Sequence, residues 1–235
     1  KLGEGKKDEA ERFLGNAVTL AIIVGLTIMI IGLIFGDQIL HLFGASEGSL
    51  EYAKAYVNVI LLGTVFNLIA FVFNSTIRGD GNPKLSATIM VVGCLLNIIL
   101  DALFIFVLNI GIRGAALATI ISQCVTAFWG LTYYTKGKSN LKLHKGNLKL
   151  KKSLVLTIAA IGAAPFAMQL AASCVQVISN NALRTHGGDL AIGAMATINS
   201  IIMMVGMPIV GISQGAQPII GFNYGCKKYD RVEKT

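Results

Sequence analysis

The chain has 235 residues, 54% hydrophobic and only 14% charged, with a formal net charge of +8 and a mean hydropathy of +0.68. A soluble domain carries about 25% charged residues, so the composition excludes an ordinary water-soluble globule and points to the bilayer. The positive charge does not indicate nucleic acid, because Lys and Arg collect in certain loops between apolar runs.

Six apolar stretches reach the ~20 residues that a helix needs to cross hydrocarbon. They lie near 13–36, 50–76, 85–108, 114–135, 153–178 and 192–222, which predicts an all-α polytopic membrane protein. The first contains Gly15, Gly25 and Gly32, as spanning helices tolerate where neighbours pack closely. The fifth holds Pro165. The last is long and carries Pro208 and Pro218, so a kink, a tilt or an end outside the membrane is expected. Alternate loops hold 4, 2, 7 and 4 Lys or Arg, and the intervening ones 0, 1 and 1. The positive-inside rule then puts both ends of the chain, the 77–84 turn and the basic 136–152 loop in the cytoplasm, where the loop also meets anionic lipid headgroups. Cys226 and a cysteine placed at Ser139 are expected on the inner side, and one at Ser46 on the outer. Arg78-Gly79-Asp80 precedes Gly81-Asn82-Pro83 and reads as a turn rather than an adhesion motif.

Asp101 lies inside the third stretch. A carboxylate in hydrocarbon costs at least ~2.5 kcal/mol on insertion scales, so it faces a polar interior and often marks an ion path. Asn97 stands one helical turn earlier on the same face. A short loop at 109–113 reverses the chain. Reflection about residue 110 sets Asp101 opposite Thr119 and Asn97 opposite Gln123, two layers of polar side chains between apolar helices. Oxygen ligands of this kind suit a hard cation such as Na⁺. Desolvation also favours a protonated carboxyl, so a proton is the other occupant. Asp101 is roughly 10 Å from the outer end of its span, counting 1.5 Å per residue, so snorkelling to the interface is the competing role.

No P-loop, HExxH or GxSxG motif is present, and no second intramembrane Asp stands ready for an aspartyl protease. The four cysteines and three histidines have no metal-site spacing. An enzyme is not expected, nor a cofactor beyond a coupling ion.

The segment Gly3–Arg12 aligns without gaps to Gly225–Lys234, with Gly, Lys, Asp and Glu identical at four positions. Six spans separate the copies. An even-numbered repeat preserves orientation and relates two halves by an axis along the membrane normal. With 136–152 as linker, residues 1–135 make the last four spans of a first lobe and 153–235 the first two of a second. The chain is then expected to hold spans three to eight of twelve.

Arg78-Gly79-Asp80-Gly81-Asn82-Pro83-Lys84, Leu96-Asn97-Ile98-Ile99-Leu100-Asp101 and Gly114-Ala115-Ala116-Leu117-Ala118-Thr119 resemble the multidrug and toxic compound extrusion (MATE) family. Gln214-Gly215-Ala216-Gln217-Pro218 with Gly221-Phe222-Asn223-Tyr224-Gly225 is similar to its second-half motif. The resemblance implies a two-lobe, six-plus-six exporter driven by Na⁺ or H⁺, a monomer in the cell membrane. It implies organic, drug-like, often cationic and amphipathic substrates. It also implies that Asn97, Asp101 and Thr119 are first-lobe cation ligands, to which the hairpin reading adds Gln123. A further ligand of that family site, an Asp on the first helix, would lie before residue 1. Ala102 replaces a proline common in the family, which puts a kink beyond Asp101 in doubt. Gln169, Gln176, Asn180, Asn199, Met203 and Met207 are the candidates for lining a substrate cavity, with interhelical bonding and plain packing as alternatives. The competing functions are a flippase for lipid-linked saccharides, which calls for cavity cations that no predicted span supplies as Arg, and a non-transporting membrane scaffold.

Overall fold

The computed structural model describes residues 1–45, 47–137 and 139–235, with the side chains of all but Glu47 and Asp189. Ser46 therefore lies outside the described residues. Among the described residues every regular element is helical: α1 (Lys7–Leu42), α2 (Glu47–Gly79), α3 (Pro83–Ala102), a π-helical turn (Leu103–Val107), α4 (Ile112–Thr135), a 3-10 turn (Lys145–Leu148), α5 (Lys152–Gly225) and the short α6 (Tyr229–Glu233). Among the described residues, six segments are long and apolar enough to cross a membrane, α5 supplying two of them, Lys152–Gly188 and Leu190–Gly225.

Helices α1 to α4 form a bundle in which α2 packs on all three others and α3 on α4. Small residues let the backbones close in, as expected in lipid, where apolar burial alone does not hold helices together. A Cβ on Gly130 of α4 would meet the Phe73 Cβ of α2 at 2.5 Å, and one on Gly25 of α1 would meet the Val65 Cα of α2 at 2.9 Å. The best-buried core lies at one end of the bundle, where Tyr134, Phe73 and Ile77 are almost fully enclosed and the Phe73 and Tyr134 rings stand 5.6 Å apart.

Turn chemistry explains the start of α3. Asn82 accepts a hydrogen bond from the Leu85 N–H at 3.2 Å, Pro83 occupies the first helical position, and Gly81 takes φ 88°. A side-chain cap, a preset proline φ and a left-handed glycine are what a tight helix start requires.

The second half departs from the predicted layout. Residues 179–191, expected as a loop, are helical on both sides of a single break at Gly188 (φ 62°, ψ −165°). That conformation is accessible to glycine alone, so it separates the two arms of α5. Pro165, Pro208 and Pro218 all keep helical dihedrals. The polar residues 180–186 extend the helix beyond its apolar stretch because intrahelical hydrogen bonds satisfy the backbone there.

The internal repeat is visible as geometry. α1 begins at Lys7 and α6 at the aligned Tyr229. The residues just before them, Lys6 (φ −92°, ψ 71°) and Lys228 (φ −93°, ψ 68°), match closely. Gly5 and Lys227 both have positive φ, 73° and 57°. The Gly5 N–H donates to the Leu2 carbonyl, as Lys227 does to Tyr224, both at 3.0 Å. Only four identities carry this correspondence in the sequence, because the backbone course and not the side chains is what repeats.

Of the expected basic linker 136–152, residues 139–151 fold as a strap across the well-packed end of the bundle. Its start is held by Asp80, which is 3% exposed. Asp80 Oδ2 accepts from the Tyr133 hydroxyl at 2.7 Å and the Asn140 N–H at 3.0 Å, and Oδ1 from the Leu141 N–H at 3.2 Å. Glu11 accepts from the Lys142 N–H at 2.9 Å and lies 3.4 Å from His144. Asn16, 1% exposed, donates to the carbonyls of Asn147 and Lys149 and accepts from the Lys151 N–H at 2.8 Å. Thr19 donates to the Leu148 carbonyl at 2.8 Å. An irregular segment has no ladder to satisfy its backbone, and these buried or half-buried side chains do so instead. Ser139 is consequently buried, at 8% exposure, which disqualifies it as a labelling position.

Candidate ion site and interlobe contacts

Asp101 is the penultimate residue of α3, and the helix leaves α geometry at once, in the π turn Leu103–Val107. The irregularity that a proline would bring is thus present with Ala102 in its place. The Leu108 N–H reaches back to Leu103 and the Ile110 N–H to Phe104. Asn109 (φ 52°) and Gly111 (φ 67°) then reverse the chain.

This turn shifts the expected register. Asn97 Nδ2 donates to Thr119 Oγ1 at 3.4 Å, so Asn97 meets Thr119 where the reflection set it against Gln123, one turn away. A π turn fits more residues into each turn than an α-helix, and the loop folds back over it. The end of α3 therefore spans less depth than a uniform α-helical count assumes. Thr119 also donates to the Ala115 carbonyl at 3.0 Å, which leaves its oxygen free to accept. Asn97, Thr119 and Gln123 line one cleft of about 240 Å³ together with Ser122 and Thr126. Asp101 stands one turn beyond them. Its Oδ1 is buried and has no hydrogen-bond partner among the described residues. A buried polar atom without a partner costs about 1–3 kcal/mol, more when charged, and calls for an explanation.

The second-half candidates do not form one cluster. Gln176 donates to Asn180 one turn away at 3.0 Å. Asn180 and Asn181 donate to the carbonyls of Phe43 and Leu42 at 3.2 and 2.9 Å. Those carbonyls end α1 and lack intrahelical partners, so these asparagines tie α5 to the bundle end opposite the strap. Gln169 is exposed and Asn199 half-buried, while Met203 and Met207 are 67% and 63% exposed. A larger cavity of about 600 Å³ lies between the bundle and α5 at the strap end. Phe13, Leu14 and Ala17 of α1, Ile158 and Ile161 of the first arm, and Phe222 of the second contribute to its wall. Sequence reasoning missed it, because plain apolar residues on separate spans carry no local signal of facing each other.

The MatE family profile matches residues 1–103 and 164–235. The chain belongs to the MatE family. It is 30% identical over 208 residues to the multidrug export protein MepA of Staphylococcus haemolyticus (strain JCSC1435), covering 88% of this chain and 46% of that protein. The S. aureus (strain bovine RF122 / ET3-1) MepA is 30% identical over 230 residues, 95% of this chain and 50% of its own length. The chain therefore spans about half the length of the curated relatives it matches. Among solved structures, an outward-facing multidrug resistance MATE transporter of the MOP superfamily superposes with a TM-score of 0.85 at 27% identity, over 99% of this chain and 52% of that one. An inward-facing one gives 0.76 at 24% identity, over 95% and 57%. This MatE chain is thus a multi-pass membrane protein of the two-lobe transporter fold.

Proposed function

We propose that this MatE chain forms the cation-coupling part of a secondary exporter that expels organic, often cationic and amphipathic compounds, with Na⁺ or H⁺ at Asp101 as the coupling ion. The observation that carries the reading is the buried Oδ1 of Asp101, unpartnered among the described residues and one turn from the Asn97–Thr119 pair. A bound Na⁺ or proton would satisfy that oxygen, and Asn97 and Thr119 offer neutral oxygens one turn away, with Gln123 a further turn along the same cleft. An ion drives transport only if it binds the two conformations with different affinity. A site at the π turn of a lobe helix is placed to change when that helix moves. The apolar cavity between the lobes would take the apolar body of the substrate. The test is efflux of a fluorescent organic cation by the full-length protein in proteoliposomes. Export should require an inward Na⁺ or H⁺ gradient, and export that ignores both gradients overturns the reading.

The basic strap, the 77–84 turn and both ends of the chain are read as cytoplasmic, from the loop charge bias. Lys145, exposed on the strap, replaces Ser139 as the inner labelling position, and Gly48 at the start of α2 replaces Ser46 as the outer one. Lys145→Cys should react with impermeant thiol reagents only from the cytoplasm, and Gly48→Cys only from outside. Reaction of Gly48→Cys from the cytoplasm alone would reverse the orientation.

A further inference from the structure

Gly3 and Gly225 are the first residues of the two repeat copies, and they touch. A Cβ on Gly225 would stand 3.1 Å from the Gly3 Cα and 3.2 Å from the Glu4 nitrogen, and one on Gly3 would collide with the Phe222 carbonyl oxygen. Cys226 Sγ donates to the Gly3 carbonyl at 3.1 Å. Contact between equivalent residues of two copies is the mark of a point on their pseudo-two-fold axis, as in a self-complementary dimer interface. The contact also borders the interlobe cavity, whose wall includes Gly3, Gly221 and Phe222.

We infer that the two repeat motifs form the inner gate of the transporter: Gly3 and Gly225 close backbone to backbone on the pseudo-two-fold axis, seal the interlobe cavity, and part when the strap side opens. The inference rests on the exporter reading above, in which the ion favours one of two conformations. Lobes that rock about a central site move most at their ends, so an axial contact at one end is made in one state and lost in the other. Glycine at both positions lets the lobes meet without side chains holding them apart.

The test uses the full-length protein with Cys94, Cys124 and Cys174 changed to Ala. Gly3→Cys is joined to the native Cys226 by a short bifunctional methanethiosulfonate, which a reductant later removes. Cross-linking should be efficient in the substrate-free protein, should stop dye efflux, and should release it on reduction. Gly3→Leu should instead raise the rate of Cys226 modification from the strap side by about tenfold, the effect of a population shift of about 1.4 kcal/mol. Folding of each variant is checked by its thermal midpoint in detergent. A quantitative cross-link with efflux unchanged overturns the gate, and so does a folded Gly3→Cys protein that never cross-links. Failure of the exporter reading shows separately, as absent efflux from the unmodified protein.

Discussion

Asp101→Asn is expected to leave the full-length protein folded and to cut cation-driven export by at least about tenfold, towards the level of passive leak. Asparagine is close in shape and removes a charge that is costly in hydrocarbon, so expression and thermal midpoint should hold or rise. The amide cannot balance a bound Na⁺ or release a proton, so the gradient loses its handle. Asn97→Ala and Thr119→Ala each remove one neutral oxygen and break the 3.4 Å bond between them. They should weaken coupling by less than Asp101→Asn does. The measurement is dye efflux at matched expression under an imposed gradient. Efflux by Asp101→Asn at the unmodified rate would mean that the buried Oδ1 is a structural accident and that coupling resides elsewhere.

Asp80→Ala should damage the molecule in a different way. Its carboxylate accepts from Tyr133, Asn140 and Leu141 in a site almost closed to solvent. Removing it strands three donors together. At about 1–3 kcal/mol for each buried group left unsatisfied, a loss of ~3 kcal/mol or more follows. Asp80→Asn restores the shape but turns an amide N–H₂ towards donors, so it should rescue only part of the loss. Two readouts apply to the full-length protein in detergent, the thermal midpoint and tryptic cleavage at Lys142, Lys145 and Lys149. Asp80→Ala should melt earlier and be cut faster in the strap. An unchanged midpoint with a protected strap would show that Glu11 and Asn16 hold the segment without Asp80. Basic strap residues at a membrane surface also attract anionic lipid, but each such charge contributes about 1 kcal/mol, less than the buried network.

The sequence by itself determined what periodicity, composition and local chemistry encode. Six apolar stretches had to become membrane helices, because only helices and closed barrels satisfy the backbone in lipid. Gly81-Asn82-Pro83 had to start a helix, since a left-handed glycine, a side-chain cap and a preset φ act within a few residues. Asp101, Asn97 and Thr119 stood out because polar groups are rare in such spans. The repeat of Gly3–Arg12 in Gly225–Lys234 was legible for the same reason, as a charged motif recurring between apolar runs. Tertiary structure decided the rest. The π turn moved the α3–α4 register by a turn, so Asn97 faces Thr119, and no pattern in Leu103–Val107 announces an extra residue per turn. Asp80, Glu11 and Asn16 looked like a turn acid and two residues near a helix start. Their role is to satisfy a strap that lies 60 to 135 residues away in the chain, and burial at that distance has no local signature. The meeting of Gly3 with Gly225 is likewise a product of the folded chain: the sequence shows that the copies exist, and only tertiary packing brings them into contact.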